Sequence, residues 1–129
     1  MKNALACCKY WQKKLRLEEW DIKFQILDDK AMNAEELNND MEANETNGFI
    51  VSYYVNRFAK IYIRKNGPDV EQTIIHELTH LLLAEVNELS NELIKHIGSK
   101  DLQSHFETMR ETFNERAVYS LARLFKCEV

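Results

Sequence analysis

The chain has little of what turn-rich or cross-linked scaffolds require. One proline and three glycines in 129 residues are too few for a sandwich or barrel of many tight turns, so helices with a modest sheet are expected. The three cysteines, Cys7, Cys8 and Cys127, do not make an even disulfide framework. Neighbouring cysteines on a helix point about 100° apart, which is poor geometry for chelating one metal, so reduced thiols are the expectation. No stretch approaches the ~20 apolar residues of a membrane span. The apolar run in "MKNALACC" is shorter than the roughly 7–15 residues of a secretory signal, which leaves a soluble, cytoplasmic protein as the expectation. A formal net charge of −4 gives no general attraction to nucleic acid or anionic lipid, because phosphate binding relies on clustered Lys and Arg. With 45% hydrophobic residues, residues 1–129 are enough for one domain with its own core.

What is present falls into recognisable periods. In "ALACCKYWQKKLRL", Leu5, Cys8, Trp11 or Tyr10, Leu15 and Leu17 recur near helical spacing with lysines between them, which predicts an amphipathic N-terminal helix. "WDIKFQIL" alternates strictly, with Trp20, Ile22, Phe24 and Ile26 on one face, and predicts a half-buried strand. Residues 28–46 hold the acids Asp28, Asp29, Glu35, Glu36, Asp40, Glu42 and Glu45 against one lysine. A mobile loop is predicted there, with at most a short helix at Glu35 to Met41. Two strands, Phe49 to Val55 and Ala59 to Arg64, are predicted to form a hairpin around Asn56-Arg57. Asp69 is placed to cap a helix running to Val86 or Glu88, a less regular segment follows over 87–99, and a long last helix spans Lys100 to Lys126. The expected whole is α+β, with about three mostly antiparallel strands.

The chemistry sits in "TIIHELTHLLL" at residues 73–83. His76 and His80 stand at i and i+4, with Cβ atoms about 5–6 Å apart on one helix face. Two imidazoles so placed reach one zinc ion at roughly 2.0–2.1 Å without bending the helix. Glu77, about 100° round from His76, aims beside the ion, where a general base belongs. With this composition the HExxH pattern arises by chance in roughly one such chain in a hundred. The surrounding Ile74, Ile75, Leu78, Leu81, Leu82 and Leu83 predict a helix buried on most sides. Polar groups there are unfavourable unless something binds them.

Catalytic zinc takes a third protein ligand and leaves one position open. The metzincin continuation needs glycine and histidine where this chain has Leu83 and Val86, which excludes that class. Candidates for the third ligand are His96, His105, Glu107, Glu111 and Glu115. On the last helix, Leu102, Phe106, Met109, Phe113, Ala117, Leu121 and Leu124 form the expected core stripe. Glu115 shares a register with Val118, Ala122 and Phe125, at the edge of the buried arc.

In this order of elements the chain resembles small gluzincin-type zinc metallopeptidase domains of phage and prophage genomes, related to the SprT-like and ImmA/IrrE-type peptidases. The resemblance rests on the leading helix, the strand opening at "WDIKF", the hairpin, "IIHELTHLLL" and "NERAVYSLARL". It implies a minimal zincin-like fold, Zn2+ as cofactor, a peptide or protein substrate, and Glu115 as the third ligand beside His76 and His80. SprT-like members proper use a third histidine instead. Zinc so held lowers the pKa of bound water to about 7, and Glu77 takes the proton during peptide hydrolysis. A second oxyanion donor is expected from Tyr119, with Tyr53, Tyr54 and Tyr62 as further candidates. The resemblance also implies that Ala59 to Arg64, as an edge strand above the site, adds an extended substrate. On that strand Lys60, Tyr62 and Arg64 share a face, whose ordinary reading is a solvated sheet surface.

Two other classes fit parts of the sequence. A zinc-stabilised binding or regulatory module without turnover would have no use for Glu77, and structural zinc prefers four protein ligands. A DNA-associated protein would use the basic residues of 57–65, against the net acidity of the chain.

Overall fold

The computed structural model of the chain describes residues 3–44 and 46–127. Glu45 and the side chains of Phe125 and Cys127, which entered the sequence reading, lie outside the described residues. The elements are α1 (Ala4–Lys14), β1 (Asp21–Leu27), α2 (Asp29–Asn38), β2 (Gly48–Tyr53), β3 (Phe58–Arg64), α3 (Val70–Leu82), α4 (Ala84–Lys95) and α5 (Lys100–Cys127). Among the described residues this is an α+β arrangement of five helices and one three-stranded mixed sheet, in the order β1-β3-β2.

Helix α1 starts where Asn3 accepts hydrogen bonds from the amides of Leu5 and Ala6 at 2.9 and 3.2 Å. Lys13 and Lys14 lie in its last turn, where cations favour the helix dipole. Its buried face, Cys7, Cys8 and Trp11, packs with Trp20 and Ile22 of the first strand segment and with Ile74, Ile75 and Leu78 of α3. Burial pushes the Cys8 thiol up to about 12, so it stays protonated and inert. The Trp11 indole donates to Glu71 at 3.2 Å, pinning α1 to the first turn of α3.

The sheet is mixed rather than mostly antiparallel. β2 pairs antiparallel with β3 through the expected hairpin, in which Arg57 takes the left-handed conformation with φ 49°. β1 pairs parallel with β3, Ile22 opposite Ala59 and Phe24 opposite Ile61. Parallel neighbours need a crossover to bring the chain back. Residues 28–46 are part of that crossover, and they contain α2 rather than a mobile loop. Asp28 caps α2 by accepting from the Ala31 amide at 2.8 Å, and Met32 and Glu36 are fully buried.

Composition alone places Glu36 among solvated acids, because its partner is remote in sequence. Arg64 donates to Glu36 at 2.6 Å and to Asp29 at 2.9 Å, while its Nε donates to the Thr46 carbonyl at 3.1 Å. The Glu36 carboxylate also accepts from the amides of Asn44 and Thr46 at 3.2 and 2.8 Å. Tyr62 stacks on Phe49, centroids 4.5 Å apart, over Met32. On the face bearing Lys60, Tyr62 and Arg64, Tyr62 and Arg64 are therefore buried beneath α2, while Lys60 stays partly exposed, so this is not the solvated positive surface expected. β3 is covered on both faces and paired on both edges, so it is the centre of the sheet and not the edge strand expected. β2 holds the edge nearest α3.

Helix α3 begins as expected at Asp69, whose side chain accepts from the Gln72 amide at 3.2 Å. It lies so close to β2 that a Cβ on Gly48 would stand 2.6 Å from the Thr73 methyl and 3.1 Å from the Tyr62 carbonyl oxygen. It ends at Leu82, earlier than predicted, and 84–95 form α4 in place of an irregular segment. On α5 the predicted core stripe is displaced. Leu102, Phe106, Phe113 and Leu124 are exposed, whereas Val118 and Ala122, in register with Glu115, are fully buried. Shorter side chains on that face let α5 approach α3 closely.

Removing one partner from a buried ion pair leaves an uncompensated charge. Glu36→Ala is expected to lower stability by about 3–5 kcal/mol in urea unfolding, and Glu36→Leu with Arg64→Met to recover most of that loss.

Candidate metal centre

The apolar residues of α3 are used on nearly every side. Ile74, Ile75, Leu78 and Leu81 are buried against the sheet, α1 and α5. Thr79 is fully buried and satisfied, its hydroxyl donating to the Ile75 carbonyl at 2.7 Å. The remaining strip carries His76 and His80, both half-buried, with Glu77 buried beside them. The imidazole rings stand with centroids 5.1 Å apart at 77°.

Packing of α5 brings a carboxylate to this pair. Glu115 Oε1 lies 3.3 Å from His80 Nε2, and Oε2 lies 3.9 Å from His76 Nε2. One donor atom from each of the three residues falls within 4.8 Å of the others. Tetrahedral zinc with ligands at 2.0–2.1 Å separates its donors by roughly 3.3 Å. The observed spacing therefore needs at most a small side-chain contraction to hold such an ion, and the set of two imidazoles and one carboxylate suits it.

The electrostatics favour the same state. Burial lowers both imidazole pKa values, against the pull of Glu115, and so favours the neutral, metal-ligating form. For Glu77, burial first and the charge of Glu115 second push the carboxyl up to about 8. A cation between these groups would relieve both.

Among the described residues the other sequence candidates do not join the cluster. His96 is exposed at the end of α4, and His105 is exposed with its ring 6.0 Å from Phe106. Glu107 is exposed, and Glu111 reaches Arg110 at 3.6 Å. Tyr119 stands edge-on to His76 with centroids 4.7 Å apart. Tyr54 borders the His80 side of the cleft, whereas Tyr62 is buried under α2 and Tyr53 stacks on Phe58 across the sheet from α3.

The site has walls that motif reasoning did not name. Thr46, Asn47, Gly48, Gln72 and Thr73 enclose about 250 Å³ next to His76, Glu77 and Tyr119. On the opposite side, Ser52, Asn87, Arg110 and Asn114 border about 290 Å³ reaching His80. No spacing in the sequence links these residues to the histidines.

Two outcomes follow from this geometry. Glu115→Ala should lower zinc affinity by at least the 10–100-fold of a lost supporting contact, while His105→Ala leaves it unchanged in competitive chelator titration. In the metal-free protein between pH 6.5 and about 8, the folded Glu77 still holds a proton that the unfolded chain, with its carboxyl near 4.5, has lost. The native state then binds more protons, so stability falls as pH rises across that window and flattens above it. Below pH 6.5 the two imidazoles act in the opposite sense, being harder to charge when folded. Denaturant melts at several pH values check this, and Glu77→Gln should abolish the slope above pH 6.5. Comparison with protein-family models, curated proteins and solved structures finds no significant match for this chain, leaving geometry and donor chemistry as the guides to function.

Proposed function

We propose that this protein is a zinc-dependent metallopeptidase on a minimal zincin-like fold of gluzincin type, hydrolysing peptide bonds in a peptide or protein substrate. The observation that carries the reading is the convergence of His76, His80 and Glu115 within 4.8 Å, with a buried Glu77 on the same helix. Three protein ligands leave an open position, as catalytic rather than structural zinc requires. When bound, the ion supplies Lewis acidity toward the scissile carbonyl and the attacking water.

The chain's own residues do the rest. Glu77 accepts the proton of the attacking water and returns it to the leaving amine. Its burial favours the proton-bearing state and so favours acceptance of that proton. Tyr119, bordering the same cleft, is the donor to the developing oxyanion. An extended substrate adds to the outer edge of β2, which has no strand partner among the described residues. The close approach of α3 at Gly48 puts that edge alongside the cleft.

A DNA-associated role has less support than the sequence offered it, because Arg64 is engaged by Glu36 and Asp29 beneath α2. A zinc-stabilised module without turnover is separated by one substitution. Purified protein should carry about one zinc per chain. His80→Ala should lose the metal. Glu77→Gln should keep it while cleavage of a synthetic peptide library falls about 10²–10⁴-fold, measured by mass spectrometry. Undiminished cleavage by the Gln variant would remove Glu77 from the mechanism.

A further inference from the structure

Part of the stripe on α5 expected in the core, Phe106, Met109, Phe113 and Ala117, forms instead one wall of an open groove. Phe106, Met109 and Phe113 face Val86, Leu93 and Ile94 of α4 across a cavity of about 540 Å³. That volume lies within the roughly 300–1,000 Å³ usual for ligand sites. Leu93 is 62% exposed and Phe113 54% exposed. Contiguous exposed apolar surface is unfavourable by about 25 cal/mol per Å² and marks an interaction site.

The groove's position says what covers it. Asn87, Arg110 and Asn114 border both this groove and the cleft that reaches His80, so the two adjoin along these three side chains. A polypeptide leaving the cleft past His80, which Glu88, Asn91 and Glu111 also line, crosses two carboxamides and the Arg110 guanidinium before it meets the apolar walls. Carboxamides donate to and accept from peptide groups, and the guanidinium donates to carbonyl oxygens. Polar groups that match a backbone, followed by walls that match aliphatic or aromatic side chains, describe a chain continuing from the cleft.

We propose that the groove between α4 and α5 binds bulky apolar side chains of the same polypeptide that occupies the metal-centre cleft. The inference rests on the reading of that cleft as peptide-binding. It assigns the substrate class: an extended segment bearing Leu, Ile, Met or Phe to the His80 side of the scissile bond. Such segments are exposed in unfolded or locally opened proteins and buried in folded ones. The groove thereby favours chains that have lost their packing.

The test uses zinc-loaded Glu77→Gln protein to retain peptides from a random synthetic library. Retained peptides should be enriched about tenfold in bulky apolar residues, the worth of burying one such side chain. Adding Leu93→Gln and Phe113→Gln should abolish that enrichment without changing zinc content or melting temperature, since both side chains are exposed. Absence of enrichment, or enrichment that survives the double substitution, overturns the proposal. So does sedimentation showing a dimer that the double substitution converts to monomer, which would make a second copy the occupant. Cleavage of library peptides by the unsubstituted protein without apolar preference leaves the peptidase reading standing and removes the groove. Groove-dependent retention of peptides that the unsubstituted protein never cleaves upholds the groove and removes the hydrolytic reading.

Discussion

Two imidazoles one turn apart gain a third group able to ligate a metal through the packing of α5 against α3. Val118 and Ala122 are fully buried at that contact, and their short side chains set how closely the helices approach. Glu115 lies one turn before Val118 on the same register, so the approach that buries Val118 also brings a carboxylate to 3.3 Å from His80. The contact is apolar and non-directional in origin, yet it positions the directional groups. Gly48 does the corresponding work on the other side, letting α3 lie against β2 closely enough for strand edge and helix to border one cleft.

The protein buries two glutamates and treats them oppositely. Glu36 receives Arg64 and two backbone amides, so its charge is met by donors on every side that matters. It ties α2 and the segment leading into β2 to the centre of the sheet. Glu77 is buried beside another negative group, Glu115, and its carboxyl is pushed up to about 8. An arrangement that raises a carboxyl and lowers two imidazoles in one cleft weakens the metal-free fold and is typical of sites built for chemistry. The first glutamate ties elements of the fold together, and the second sits where burial favours its proton-bearing form.

The apolar surface is divided in the same purposeful way. Face one of the sheet, Ile22, Ala59, Ile61 and Ile63, closes against α1 and α3, and the opposite face closes under α2 around Met32, Phe49 and Tyr62. With both faces of the sheet covered, the aromatic side chains of α5 find no partner there. They line the groove beside α4, which adjoins the cleft at His80 along Asn87, Arg110 and Asn114.

Local patterns determined what depends on near neighbours along the chain. Alternation in "WDIKFQIL", the cap at Asp69 and the i, i+4 histidines each involve residues a few positions apart, and each element begins where those patterns put it. Strand order, the parallel pairing of β1, and α2 beneath the sheet depend on contacts between residues far apart. Arg64 reaches back to Glu36 and Asp29, and no local period encodes such a partner. Composition made residues 28–46 look solvated because an acidic side chain reads the same whether water or a guanidinium surrounds it. The third member of the candidate metal cluster belongs to the same category: five residues have suitable chemistry, and only the face that α5 turns toward α3 selects Glu115. Helical periodicity specifies which residues share a face, while the tertiary fold decides which face is covered, because burial is a property of two surfaces and the chain writes them in separate places.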